Sequence, residues 1–550
     1  MLAFLAALAL AAAPSDDTFL AWVAEPVAVE SLPDSAAAEL SDDELAALTD
    51  GSPTLPFAEA TTGLRTPEGD TWIGSPHGLQ LLARDATRWQ VFHSQLWLPS
   101  DDVRQLSVAA DGSLFVRTSA GVVKLRREKT SLEAKMNAID ATLQQHHVRG
   151  GFVSEVSLPT PGDLSSARMQ ESNDNDGLWT CMYLAGEAFR YGATGDPAAK
   201  QNARRSLDAI MFLERVSTIP GFVARSVIPA ESDPKKHGGE WHPSADGKWW
   251  WKADTSSDEV VGHYFAYHVY YNVCADEAER AEIRPYVERI TDHILDHGLH
   301  YVGPPGKPTT WGVWSPEGLN HDLRRIGDRG LNSLEILSHL KVAEQIVGKP
   351  RYTAKLKELI ADHGYATNTV LQKQVWPPHL VNHSDDELAF LSYYPLVVLE
   401  RDVHLRKVYL ASIRRSWLIE RPEHSPLFNY IYGAALQANT WTDPTKRPDR
   451  ALVAPEEYDA AESLEWFRDV PADTTVWTVK NSHRRDITLV GNNRERRPRA
   501  QTVLPASERR VMRWNGDPYT LDGGSGGRER DDGHAILLPY WMGRYHRFLD

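Results

Sequence analysis

Trp249-Trp250-Trp251-Lys252-Ala253-Asp254-Thr255-Ser256-Ser257-Asp258-Glu259-Val260-Val261-Gly262-His263-Tyr264-Phe265 reads as an aromatic loop running straight into a helix. Ser256 stands at N-cap spacing with Glu259 three residues on, the pattern of a capping box. The same two turns carry Asp258, His263 and Tyr264. Positions 259 and 263 share a face, and Asp258 lies above Gly262, where a ligand has room to approach the backbone. Carboxylates, an imidazole and a phenol beside indoles suit a sugar-cleaving site. They also occur in an ordinary capped helix.

Outward from this stretch the chain repeats its arrangement. Helical periodicity pairs 177–193 with 197–214, 257–273 with 278–296, 331–347 with 351–363, 385–399 with 403–417, and 427–438 with 455–467. Leu132, Met136, Ile139 and Leu143 mark one face of an earlier helix. Five or six successive hairpins, with long loops only between them, predict a mainly α fold, an α/α toroid. The lack of strand alternation argues against a TIM barrel or a doubly wound sheet. After Asp469 the periodicity fades into an irregular, partly β segment. Its last run, Leu537-Leu538-Pro539-Tyr540-Trp541-Met542, is too apolar for a free tail and is expected to dock on the toroid.

Before the toroid the period is that of strands. Trp72-Ile73-Gly74-Ser75 and Gly78-Leu79 are echoed after Leu98-Pro99-Ser100-Asp101-Asp102-Val103 by Asp111-Gly112-Ser113-Leu114-Phe115 and Gly121-Val122, with Gly78 and Gly121 43 residues apart. These motifs resemble the propeller repeats of two-component-type regulators. They cover too little chain for a closed propeller, which needs at least four blades, so a small antiparallel β unit is expected. The domain expectation is a signal peptide at 1–13, an acidic linker at 14–64, the β unit at 65–128, the toroid at 129–470 and a C-terminal segment at 471–550 packed on it.

Composition narrows the function. A formal charge of −16 and the absence of a basic recognition motif argue against nucleic acid as a partner. No apolar run approaches the roughly 20 residues of a membrane span, so no membrane insertion is expected. The Leu- and Ala-rich residues 1–13 read as an export signal, which implies a periplasmic or extracellular location. Cys181 and Cys274 lie in apolar helical patterns, as buried thiols or as a pair. No P-loop, Gly-rich dinucleotide turn or nucleophile elbow is present, and no cofactor is assigned. Asn173-Asp174-Asn175-Asp176-Gly177 has the composition of a calcium loop but lacks its later bidentate Glu, so no metal is assigned either. The cluster of Arg484, Arg485, Arg494, Arg496, Arg497, Arg499, Arg509, Arg510 and Arg513 points to an anionic ligand or to a salt-bridged surface.

In a toroid the first helix of each pair lines the centre, so its N-terminal residues converge on one mouth. That reasoning selects Asp176, Asp258, His263, Tyr264, Arg329, His383 and Asp386 as catalytic candidates. Trp179, Arg225, Trp241, Trp251, Trp311, Trp314 and Asn332 are candidates for substrate binding, the indoles as sugar platforms and Arg225 as a carboxylate ligand. Residues 130–550 resemble the six-hairpin α/α-toroid carbohydrate-active enzymes, a fold class shared by glycoside hydrolases and polysaccharide lyases. The resemblance implies an oligo- or polysaccharide substrate, and the arginine cluster favours an anionic one. Two carboxyl groups from Asp176, Asp258 and Asp386 would serve a hydrolase. Tyr264 or His263 as base, with Asn332, Arg329 or His383 neutralising a uronic acid, would serve a lyase. A non-catalytic glycan-binding or sensory protein is the third reading.

Overall fold

The computed structural model describes residues 18–28, 32–51, 54–373, 381–438 and 458–549. The apolar run at 1–13 and the start of the expected helix at 455 lie outside them.

The N-terminal part is two antiparallel sheets. Strands β1 (Thr18–Val27), β2 (Ala38–Glu39), β3 (Thr62–Arg65), β4 (Thr71–Ser75), β5 (Gly78–Leu82), β6 (Gln90–Phe92), β7 (Val103–Val108), β8 (Leu114–Thr118) and β9 (Gly121–Ser131) form the sheets β2-β3-β4-β5-β6 and β1-β9-β8-β7. Trp72, Leu79 and Phe92 from the first share a core with Val103, Val116 and Leu125 from the second. The repeat is reproduced atom for atom at its turns. Ser75 Oγ donates to the Gly78 carbonyl at 2.9 Å, as Thr118 Oγ1 does to that of Gly121 at 3.0 Å. Both glycines have φ in the left-handed range, 135° and 150°. The stretch read as a linker is partly structured. It supplies β1, which pairs with β9 from Val122 to Ser131, and the helix α1 (Asp42–Gly51).

The helices that follow are α2 (Leu132–His146), α3 (Asp176–Thr194), α4 (Pro197–Ser217), α5 (Ser257–Val273), α6 (Glu277–Asp296), α7 (Arg329–Ile346), α8 (Pro350–Ala361), α9 (Tyr365–Asn368), α10 (His383–Leu399), α11 (Val403–Glu420), α12 (Pro426–Ala438), α13 (Leu464–Asp469) and α14 (His534–Tyr545). Among the described residues, α3 packs on α5, α5 on α7, α7 on α10, α10 on α12, α12 on α14, and α14 back on α3. The result is a closed ring. Outside it, α4 backs α3, α6 backs α5 and α7, α8 backs α7, α11 backs α10 and α12, and α2 backs α14. The run at 537–542 is therefore part of an inner helix, and a boundary at 470 would cut the ring open.

Position in the ring explains the sequences. Residues 176–189 of α3 are buried on every side, as a helix surrounded by neighbours requires, whereas α4 buries one stripe. Asp196 caps α4, with Pro197 in its first turn, and Asp276 with Glu279 forms a true capping box on α6. At Ser256 the expected capping box does not form. Ser256 Oγ donates to Asp258 instead, and the Glu259 side chain is buried between helices. Gly262 serves packing rather than a ligand: a Cβ there would lie 3.0 Å from Leu178 Cα of α3. Cys181 and Cys274 are buried and unpaired.

Candidate functional site

The first turns of α5 and α10 and the second turn of α7 meet at the mouth of the ring. Asp258 on α5 is half-buried and accepts from Ser256 Oγ. Asp385 on α10 is also half-buried and accepts from Asn382 Nδ2 at 2.6 Å. Burial pushes the Asp385 carboxyl up to about 6; the Asn382 bond opposes the shift, and the charges of Asp258 and Asp328 add to it.

Two further carboxyls lie deeper. Glu335 on α7 is fully buried and accepts the indole N–H of Trp314 at 2.8 Å. Burial raises it to about 8, with that bond opposing and Asp258 and Asp385 adding. Glu387 on α10 is likewise raised to about 8 by burial, with Asp258 adding and Arg513 opposing. Asp258 is thus surrounded by carboxyls that hold protons more tightly than usual, the pattern that separates acids from bases in an active site.

Beside this group lies a cavity of about 680 Å³, walled by the start of α10, by Trp179 and by residues of the C-terminal segment. Arg513 lies over the Trp179 ring at 4.4 Å and pairs with Glu155 at 2.6 Å and Asp532 at 3.0 Å. Asp532 is in turn held by His534 Nδ1 at 2.5 Å. Arg494 and Arg510 also line the cavity, and among the described residues neither forms an ion pair. The arginine cluster therefore divides. Arg484 bridges Asp486 and Glu508, and Arg499 pairs with Asp517, while Arg494 and Arg510 present charge to open space.

The expected site residues scatter around this geometry. Asp258 stands at the mouth and His383 lines the cavity. Asp176 is an anchor: it is fully buried, paired with Arg149 at 2.8 Å and bonded by Ser226 Oγ and the Asn173 N–H. Asp386 is buried against Lys373 Nζ at 2.5 Å. His263 is a core side chain, with Nδ1 2.7 Å from the Glu259 carbonyl and Nε2 3.2 Å from that of Ile210; burial lowers its proton affinity. Tyr264 is bonded to Thr291 Oγ1 at 2.6 Å and stacked on His339, and burial pushes its hydroxyl up. Arg329 donates to the Leu319 carbonyl at 2.7 Å and Asn332 to that of Val313 at 2.9 Å, so both shape loops.

Among the binding candidates, Trp179 floors the cavity and Trp311 is 52% exposed next to the Asn332 rim. Trp314 is buried and acts through Glu335. Trp241 and Trp251 belong to a three-stranded sheet of residues 226–229, 249–252 and 241–243; Trp251 is buried there, and Trp241 donates to the Gly238 carbonyl. Arg225 pairs with Asp174 at 2.9 Å, and Lys252 takes the other oxygen at 2.6 Å, so the calcium-like loop is occupied by cationic side chains.

Glu335, Asp385 and Glu387 are not among the residues that the sequence singles out, and Arg513 enters there only within the arginine cluster. Ser384 to Glu387 has the spacing of a capping box, yet Asn382 occupies the N-cap and Glu387 faces inward. The available signal was the run of three consecutive acids on an otherwise apolar helix.

No protein-family model matches the chain, and no curated protein does. Among solved structures it is similar to AaCel9A in complex with cellobiose-like isofagomine, at 12% identity and a TM-score of 0.37, over 88% of this chain and 94% of that one. It is also similar to a D-mannose isomerase, at 12% identity and a TM-score of 0.30, over 75% of this chain and 96% of that one. What the site does has to come from its own chemistry.

Proposed function

We propose that the chain is a carbohydrate-active enzyme that hydrolyses glycosidic bonds, built on an α/α toroid of six helical pairs. The observation that carries this reading is the half-open pair Asp385 and Asp258 at the mouth of the ring. Asp385, raised to about 6, keeps its proton at mildly acidic pH and delivers it to the leaving oxygen. Asp258 takes a proton from the water that attacks the anomeric carbon, or attacks that carbon itself. Glu335 and Glu387 stay protonated at neutral pH. Trp311 offers an exposed face for a sugar ring.

Arg494 and Arg510 favour an acidic, uronic-acid-containing glycan, and the run at residues 1–13 supports export. A lyase needs an accessible base, and both residues considered for that role, Tyr264 and His263, have their polar atoms engaged inside the core. The test is to incubate the chain with neutral and uronic-acid oligosaccharides, following new reducing ends and ultraviolet absorbance. New reducing ends without an absorbing product support hydrolysis. An unsaturated uronide would overturn it in favour of elimination, and binding without turnover would identify a glycan-binding protein.

A further inference from the structure

Behind the cavity, three chain segments bring metal-type ligands together. His383 opens α10, Glu420 closes α11, and Glu423 lies in the turn at 421–423 that leads to α12. One donor atom from each falls within 4.8 Å of the others, and all three residues are buried. The charges around them do not balance. Lys373 Nζ is shared between Asp386 at 2.5 Å and Glu420 Oε1 at 2.6 Å. Of the nearby guanidiniums, Arg499 is taken by Asp517, and Arg509 bears on Glu423 through its charge without forming an ion pair with it among the described residues. Glu423 faces the His383 ring at 3.6 Å and lies within hydrogen-bonding reach of the Glu420 carboxylate.

The Glu420 side chain is 1% exposed, and its Oε2 accepts no hydrogen bond. A buried carboxylate oxygen without a donor is costly, so such a site must hold either an added proton or an added cation. One imidazole and two carboxylates at this spacing are the donor set of a borderline-soft divalent ion, whereas calcium prefers oxygen alone.

We propose that His383, Glu420 and Glu423 form a binding site for a divalent transition-metal ion of the zinc class, which ties the start of α10 to the end of α11 and the turn beyond it. The proposal is independent of the glycan reading, because its test needs no substrate. Full-length protein is stripped with a chelator, re-equilibrated with zinc sulfate and gel-filtered, and its metal content is measured by mass spectrometry. The expected result is a single retained equivalent of zinc and a zinc-dependent rise in Tm, with His383→Ala and Glu423→Gln each binding at least tenfold more weakly. Glu423→Gln preserves volume, so it decides the matter if His383→Ala misfolds. A parent chain that retains no zinc, or a folded Glu423→Gln that retains it undiminished, overturns the proposal in favour of a shared proton.

Discussion

The carboxylate of Asp258, in the first turn of α5, stands close enough to Asp385, in the first turn of α10, for its charge to add to burial in raising the proton affinity of Asp385. The two helices touch each other directly as well as through their neighbours in the ring, so a charge on one bears on an acid of the other.

Replacing Asp258 by Asn is expected to lower kcat/KM by about 10²–10⁴-fold while leaving the fold intact. Because Asp385 must be protonated to act, activity in the parent falls as pH rises through about 6. Removing the Asp258 charge lets Asp385 ionise earlier, so the residual activity of Asp258→Asn loses its alkaline limb at lower pH. A pH–rate profile checks both effects, and parental rates in the variant would exclude Asp258 from the chemistry.

The buried Glu335 gives a stability signature. Its carboxyl rises from 4.5 to about 8 on folding, so between those values the folded chain holds a proton that the unfolded chain has released. Its contribution is fully present below 4.5 and is lost as pH climbs through about 8, at up to about 1.4 kcal/mol per pH unit. Glu335→Gln keeps an acceptor for Trp314 and removes the ionisation. Urea denaturation across this window is expected to show a shallower decline for the variant.

Gly177 tests the contact between α3 and α5. A Cβ there would fall 1.9 Å from Glu259 Oε2 and 2.9 Å from His263 Cε1. Alanine ordinarily favours a helix over glycine by about 1 kcal/mol, but overpacking of this kind costs about 1–3 kcal/mol. Gly177→Ala should therefore lower Tm, and an unchanged or higher Tm would show that Glu259 moves aside freely.

Arg510 and Arg494 separate ligand classes. Losing a charge-assisted hydrogen bond costs about 1.5–3 kcal/mol, roughly a tenfold to hundredfold loss of affinity. Arg510→Ala and Arg494→Ala should weaken the binding of uronic-acid oligosaccharides by that factor and leave neutral ones unaffected, as isothermal titration would show. Equal losses for both classes would assign the two arginines to structure.

The helical pairs were legible because solvent-facing helices such as α4 keep a one-sided apolar pattern and begin with recognisable caps, as at Asp196-Pro197. The ring's closing element was harder to read. α14 is apolar all round, with Pro539 inside it, and looks like a docking tail until its neighbours α3 and α12 are known. At the mouth, position was legible and role was not. Asp176, Asp258 and Asp386 all occupy inner-helix first turns, but Arg149 and Lys373 arrive from distant segments to claim two of them. Glu387 and Glu259 keep the spacing of capping residues and are buried instead, because ring packing outweighs the small gain from a cap.

The pairing of α14 with α3 has a consequence for biosynthesis. These helices lie at opposite ends of the toroid in sequence yet share one of its seams. Until residues 534–545 have left the ribosome, the apolar flanks of α3 and α12 face an unfilled gap. Such long-range closure makes folding slow and leaves nascent chains prone to aggregate. Translation that stops short of α14 would therefore yield a sticky, open crescent rather than a smaller working protein.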